Sequence, residues 1–286
     1  MSKKDDEFEG VPTTGHEWDG IREYDKPMPR WWLYTFYACI VWAIGYTIAY
    51  PAWPLVTGAT PGILGFSTRG SLQQELVNAE AANAVIDAEL AAVNLPDIKE
   101  TPELEQYAIS KGAAVFRTFC AQCHGSGAQG AVGFPNLLDD DWLWGGSIED
   151  IHTTITHGIR NDTDPDARYS QMPAFGEILS AEEISDVVNY VMSLSDEPAD
   201  PTRVEAGSVI FADNCASCHG EDAKGGREVG APNLTDAVWL YGGDYATLVT
   251  TVQRARFGVM PPWAPRLTPA EISAVATYVH QLGGGE

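Results

Sequence analysis

A mainly α-helical chain, with one membrane-spanning helix near the N-terminus followed by two tandem helical domains, is predicted by three observations. Twenty residues from Trp31 to Tyr50, WWLYTFYACIVWAIGYTIAY, carry no formal charge. The pattern CxxCH occurs twice, at Cys120, Cys123 and His124 and at Cys215, Cys218 and His219. The two halves beyond Thr101 repeat one another around those motifs. At 286 residues the chain is too long for one small domain, and its composition is ordinary for a globular protein except for a net charge of -23.

The first thirty residues are polar and acidic (KKDDEFE) and carry Pro27 and Pro29, so little autonomous fold is expected over 1–30. The uncharged run over 31–50, as a helix, spans about 30 Å, the thickness of a bilayer's hydrocarbon core. Trp31, Trp32 and Tyr34 at one end, and Tyr46, Tyr50 and Trp53 at the other, are the amphipathic rings that favour the headgroup region. A cleaved signal peptide would have a shorter apolar core and a small-residue cleavage site, whereas Pro51, Trp53 and Pro54 follow here. Arg22, Lys26 and Arg30 precede the span and only Arg69 follows soon after, which places the N-terminus in the cytoplasm and the repeats on the other side. Pro51 to Gly65 reads as irregular, and Ser71 to about Val93 as an alanine-rich linker helix, within an interfacial and linker segment over 51–100.

The repeats occupy 101–195 and 203–286, divided by the proline-rich and acidic SDEPADPT. Gly112 and Phe116 precede Cys120 by the intervals at which Gly207 and Phe211 precede Cys215. Pro135 to Leu137 recurs as Pro232 to Leu234, and Trp142 with Gly145 and Gly146 as Trp239 with Gly242 and Gly243. Each repeat closes with an amphipathic helix behind a capping box, Ser180 with Glu183 and Thr268 with Glu271.

CxxCH is the attachment motif of a c-type haem: two thiols one helical turn apart reach the two vinyl groups of a porphyrin, and the adjacent imidazole addresses the iron. Two covalently bound haem c groups are therefore expected, on Cys120 and Cys123 with His124 as axial ligand, and on Cys215 and Cys218 with His219. A zinc site or a redox dithiol predicts no histidine directly after the second cysteine. Cys39, inside the apolar run, reads as a small hydrophobe. Haem attachment takes place outside the cytoplasm, in agreement with the charge bias around the span.

An N-terminal helix leading into CxxCH, a loop and a closing helix together resemble the cytochrome c fold. The resemblance implies a glycine on the first helix that lets the closing helix approach against an aromatic ring, Gly112 with Tyr190 and Gly207 with Tyr278. It also implies a ligating methionine in the loop before the closing helix. Met172 (QMPAF) and Met260 (VMPPW) stand there, so Met172 is expected on the first haem iron and Met260 on the second. A thioether is a soft ligand that raises the reduction potential. Methionines filling the core without ligating remain an alternative, as do His152 and His157 as a sixth ligand in the first repeat, which carries the insertion NDTDPDARYS. His16 and His280 read as surface residues, and Met192 as core.

The stretch HEWDGIREYDKPMPRWW, the tryptophan-rich span ending AYPAWP and the two CxxCH domains resemble the dihaem subunit III of cbb3-type cytochrome c oxidases, the CcoP or FixP family. The resemblance covers essentially the whole chain. It implies a single-pass subunit of a bacterial inner membrane with periplasmic haem domains. Its partners would be a haem-copper catalytic subunit, a membrane-anchored monohaem cytochrome c subunit and a basic cytochrome c donor. The chain would be an electron-transfer subunit of the oxidase and hold no oxygen-reducing site, since it has no copper-binding histidine cluster. A stand-alone tethered electron shuttle and a dihaem peroxidase are the other classes, the latter requiring a haem with a displaceable sixth ligand. The acidity suits a basic donor, with Asp139 to Asp141 and Asp162, Asp164 and Asp166 as candidate docking clusters. Added salt is then expected to slow electron entry. No phosphate loop, nucleophile triad or basic nucleic-acid patch is present.

Overall fold

The computed structural model describes residues 7–8, 10–195 and 198–286. It divides into two compact units, Met1–Ala82 and Asn83–Glu286.

The first unit corrects the expectation of an unstructured N-terminus. Strands β1 (Glu7–Phe8), β2 (Val11–Trp18) and β3 (Ile21–Tyr24) form an antiparallel sheet in the order β1-β2-β3. The overlooked signal is Asp19-Gly20. Both residues have positive φ, 52° and 81°, as a two-residue type I′ turn requires, and Trp18 pairs with Ile21 across it. The remaining residues of KKDDEFE lie outside the described residues.

Helix α1 (Arg30–Ala49) has no buried residue, and its mean hydropathy of 1.4 suits a lipid environment. Beyond it, the segment expected to be irregular contains a tight hairpin, β4 (Pro54–Leu55) against β5 (Gly58–Ala59). The chain then turns back, and the amides of Ile63 and Leu64 donate to the carbonyls of Ile48 and Ala49 at 3.0 and 3.1 Å. Those carbonyls belong to the last turn of α1, which has no intrahelical donors of its own. The linker helix α2 runs over Thr68–Ala92, close to its expected bounds.

In the second unit, α3 (Pro102–Val115) continues through a π-helical turn, Phe116–Cys120, into the short α4 (Ala121–His124). There follow α5 (Ile148–His157), α6 (Ala181–Ser195), α7 (Val204–Asn214), α8 (Ala216–His219), α9 (Tyr245–Arg254) and α10 (Pro269–His280). Both capping boxes form: the Ser180 and Thr268 hydroxyls accept from the amides of Glu183 and Glu271, and the two carboxylates accept from the amides of Ser180 and Thr268 at 2.8 Å.

The helix pairing differs from the expected one. Each opening helix packs on the closing helix of the other repeat, α3 on α10 and α7 on α6. A Cβ on Gly112 would lie 2.7 Å from Tyr278 Cβ and overlap the Ala274 carbonyl, and a Cβ on Gly207 would lie 2.8 Å from Tyr190 Cβ and overlap the Asp186 carbonyl. The rings follow, Phe116 with Tyr278 at 5.6 Å and Phe211 with Tyr190 at 5.2 Å between centroids. The physical reason lies in the connection between the repeats. Between Ser195 and Val204 the chain has room only for a tight reversal, so α6 and α7 pack as antiparallel neighbours. The reversal is pinned: the Asp200 amide donates to the buried Asn189 side chain at 2.6 Å, and Arg203 pairs with Asp186 at 2.7 Å. Asp196 and Glu197 of the expected linker lie outside the described residues.

Each apolar core therefore draws on both repeats. One joins Val115, Phe116, Ile151 and Ile155 to Trp263, Ile272 and Val275. Another joins Val187 and Val191 to Phe211 and Leu234. The linker helix contributes Leu90 to a third, with Ile98, Leu104, Ala108, Ala270 and Ala274, and beside it Lys111 pairs with Asp87 at 2.8 Å.

Candidate haem centres

The two CxxCH motifs have nearly the same local geometry. In each, the histidine closes a one-turn helix (α4 or α8) that ends in a glycine of positive φ, Gly125 or Gly220. The His124 Nδ1–H donates to the Pro135 carbonyl at 3.2 Å, and the His219 Nδ1–H to the Pro232 carbonyl at 3.1 Å. That bond selects the tautomer in which Nε2 offers its lone pair to a metal. Burial lowers the basicity of both imidazoles, partly offset by the proline carbonyls, which favours the neutral form that ligates a metal. Burial also raises the thiols of Cys120 and Cys215 to about 11, with a smaller contribution from the second cysteine of each motif. The recurrence of PNL in the two repeats is explained by this acceptor role of Pro135 and Pro232. The recurrence itself was the available signal, because a proline carbonyl free of helix or sheet pairing is a fixed acceptor.

The methionines are placed crosswise to the expected pairing. Met172 lines a cavity of about 410 Å³ together with Cys215, Cys218 and His219. Its apolar wall includes Phe175, Val187 and Val191 of the first repeat and Phe211 and Leu248 of the second. Met260 packs against the same core as Cys120, next to Trp263. The Met260 segment is held by two backbone hydrogen bonds, with Ile159 donating to Met260 at 2.9 Å and Met260 donating back at 3.0 Å. At the second motif these surroundings fit a haem, with two thiols, an imidazole and a thioether about one largely apolar cavity, and at the first motif Cys120 and the Met260 thioether pack against one apolar core.

The alternative histidines have other partners. His157 Nδ1 pairs with Asp164 at 3.1 Å, and His152 Nδ1 lies 3.4 Å from the Thr156 hydroxyl. Burial lowers the basicity of His152, and the neighbouring His157 adds to the effect. His280 donates from Nε2 to the Glu286 carbonyl at 2.9 Å, and His16 stacks on Trp18 with centroids 5.6 Å apart. Met192 packs beside the buried Ile184 and Val188, as a core residue does.

Three family profiles match in succession. The N-terminal domain of cytochrome oxidase-cbb3, FixP, matches residues 10–57. Cytochrome c matches residues 109–195, and cytochrome C oxidase, cbb3-type, subunit III, matches residues 202–279. The chain is 63% identical over 277 residues to the cbb3-type cytochrome c oxidase subunit CcoP of Cereibacter sphaeroides, covering 96% of each. It is 56% identical over 297 residues to the CcoP subunit of Rhodobacter capsulatus, covering 100% of each. It is 53% identical over 281 residues to the FixP subunit of Rhizobium meliloti, covering 98% of this chain and 97% of the relative. The readings as a stand-alone shuttle and as a peroxidase are not favoured by these matches. Two haem-attachment motifs behind an apolar N-terminal helix, continuous with relatives of more than half identity over nearly full length, make this chain a member of the CcoP/FixP family, a membrane-anchored electron-transfer subunit of a cbb3-type cytochrome c oxidase with two covalently bound haem c groups.

Proposed function

We propose that the chain is the electron-input arm of its oxidase. It takes electrons from a soluble or membrane-bound cytochrome c and passes them to the haem-copper catalytic subunit, beside a membrane-anchored monohaem cytochrome c subunit. Its N-terminus faces the cytoplasm and its haem domains, 101–195 and 203–286, face the periplasm, as the basic residues ahead of α1 support. When bound, the haems supply reversible one-electron chemistry. A histidine and a methionine on each iron would leave no open position for oxygen and would confine the haems to electron transfer.

The axial pairs proposed are His124 with Met260 at the haem of Cys120 and Cys123, and His219 with Met172 at the haem of Cys215 and Cys218. This revises the within-repeat pairing of His124 with Met172 and His219 with Met260. The observation that carries it is the exchange of closing helices: each methionine loop leads into a closing helix packed on the other repeat's opening helix. The test is spectroscopic, on the assembled complex with its high-spin catalytic haem masked by a tight ligand. Two low-spin c-haems with methionine-to-iron charge-transfer absorption, neither binding carbon monoxide when reduced, are expected. Carbon monoxide binding at either c-haem would overturn the closed-shell reading.

A further inference from the structure

Arg160 belongs to neither haem motif and packs in none of the apolar cores of the second unit. It lies just before the insertion in the first repeat, yet it lines the cavity that holds Cys215, Cys218, His219 and Met172 of the proposed second centre. Its backbone is left-handed, with φ 52°, a conformation uncommon for residues other than glycine. Its guanidinium lies over the Trp144 ring, 5.4 Å from the centroid, and Trp144 is itself buried. Nε donates to the Ser170 carbonyl and Nη1 to the Gly258 carbonyl at 3.3 Å. Those carbonyls stand two residues before Met172 and two before Met260, so one side chain ties both methionine loops.

Neither contact supplies a negative charge. Among the described residues no carboxylate is paired with Arg160, and Nη2 has no hydrogen-bond partner. Burial disfavours its charge, and its electrostatic neighbours are the phenols of Tyr241 and Tyr169. A half-buried cation without a counter-ion is costly, and a guanidinium whose Nε and Nη1 are engaged still has the N–H donors of Nη2 to offer a carboxylate. A haem brings two carboxylates, its propionates, into a largely apolar cavity whose lining also includes Arg256, held over the Tyr241 ring, and the carboxylates Asp139 and Asp141.

We propose that Arg160 is the cationic partner of a haem propionate at the centre formed by Cys215, Cys218 and His219, and so a positioning and tuning residue for that haem. The inference rests on the reading of that cavity as a haem site. The pairing leaves Nε and Nη1 on the two loop carbonyls and gives Nη2 to the propionate. A fixed positive charge there disfavours the ferric state, which carries one more positive charge than the ferrous, and raises the reduction potential of this haem.

The experiment is a redox titration of the assembled oxidase complex carrying Arg160→Gln, which keeps an amide donor for the loops and removes the charge. The ferrous-to-ferric ratio of one c-haem at fixed potential is expected to fall about tenfold, equivalent to about 59 mV for a one-electron couple. The other c-haem holds its potential and both charge-transfer bands persist. Arg160→Lys, which keeps the charge, restores most of the shift. An unchanged potential in Arg160→Gln would overturn the proposal, and so would loss of a charge-transfer band in both variants, which would make Arg160 a loop clamp only. Should the glutamine variant fail to assemble, resonance Raman of the wild-type complex decides: a propionate bending mode at the guanidinium-paired position supports the proposal and the free position overturns it. Absence of a second c-haem from the wild-type complex would instead strike the underlying reading of the cavity.

Discussion

The two haem centres are nearly identical on the histidine side and differ on the methionine side. Both imidazoles donate from Nδ1 to a proline carbonyl, at 3.2 and 3.1 Å, and burial shifts both pairs of groups in the same directions. Met260, by contrast, is locked by reciprocal backbone bonds to Ile159, and the Asn161 side chain also donates to its carbonyl at 3.3 Å. Met172 sits between the exposed Gln171 and Pro173, and the Arg160 bond to Ser170 is its nearest tether to another segment. The difference teaches that the attachment half of such a site is specified locally, within a dozen or so residues. In the proposed pairing the sixth ligand is specified by tertiary packing, which here crosses between repeats.

The strongest way to break that comparison is to force the crossed helices apart. Gly112→Val and Gly207→Val each place a branched side chain against a carbonyl and a tyrosine Cβ, and each is expected to lower stability by about 2–3 kcal/mol in urea denaturation. Because the partner helix belongs to the other repeat, Gly112→Val should disturb the charge-transfer band governed by Met260, and Gly207→Val that governed by Met172. A finer test is a double-mutant cycle. Phe116 and Tyr278 should couple by about 1 kcal/mol, as ring pairs do, while Phe116 and Tyr190 should show no coupling. Coupling to Tyr190 would restore the within-repeat pairing.

The smallest effect expected is electrostatic. Asp141 is raised to about 6, first by burial and then by the charges of Asp236, Asp139 and Asp140, with Arg227 opposing. Its folded form therefore holds a proton that the unfolded chain releases nearer pH 4, so this group's contribution to stability declines as pH rises through the interval between the two values. Asp141→Asn should raise the melting temperature at pH 7 and lose that advantage near pH 4. An equal effect at both pH values would mean that the gain is not electrostatic.

Much of the molecule is legible in the residues. The uncharged run, the CxxCH motifs, the capping boxes at Ser180 and Thr268 and the alanine-rich linker all act through local chemistry, and each appears close to its expected place. The N-terminal sheet was also legible, since Asp19-Gly20 is a strong hairpin signal that the polar composition around it obscured. The crossing of helices was not. Gly112 and Gly207, and likewise Tyr190 and Tyr278, are chemically equivalent, so either pairing satisfies the same pattern. Only the short reversal between α6 and α7 selects one, and its effect depends on the geometry of both helices at once. Arg160 was invisible for a related reason, because its role depends on a cavity built by the other repeat.

The most direct test of this crossed arrangement is a density map of the assembled, haem-loaded complex at a resolution that separates the axial ligands. Continuous density from the iron above Cys215 and Cys218 to the sulfur of Met172, and from the iron above Cys120 and Cys123 to that of Met260, is the predicted result. Density joining His124 and Met172 on one iron, and His219 and Met260 on the other, would contradict it.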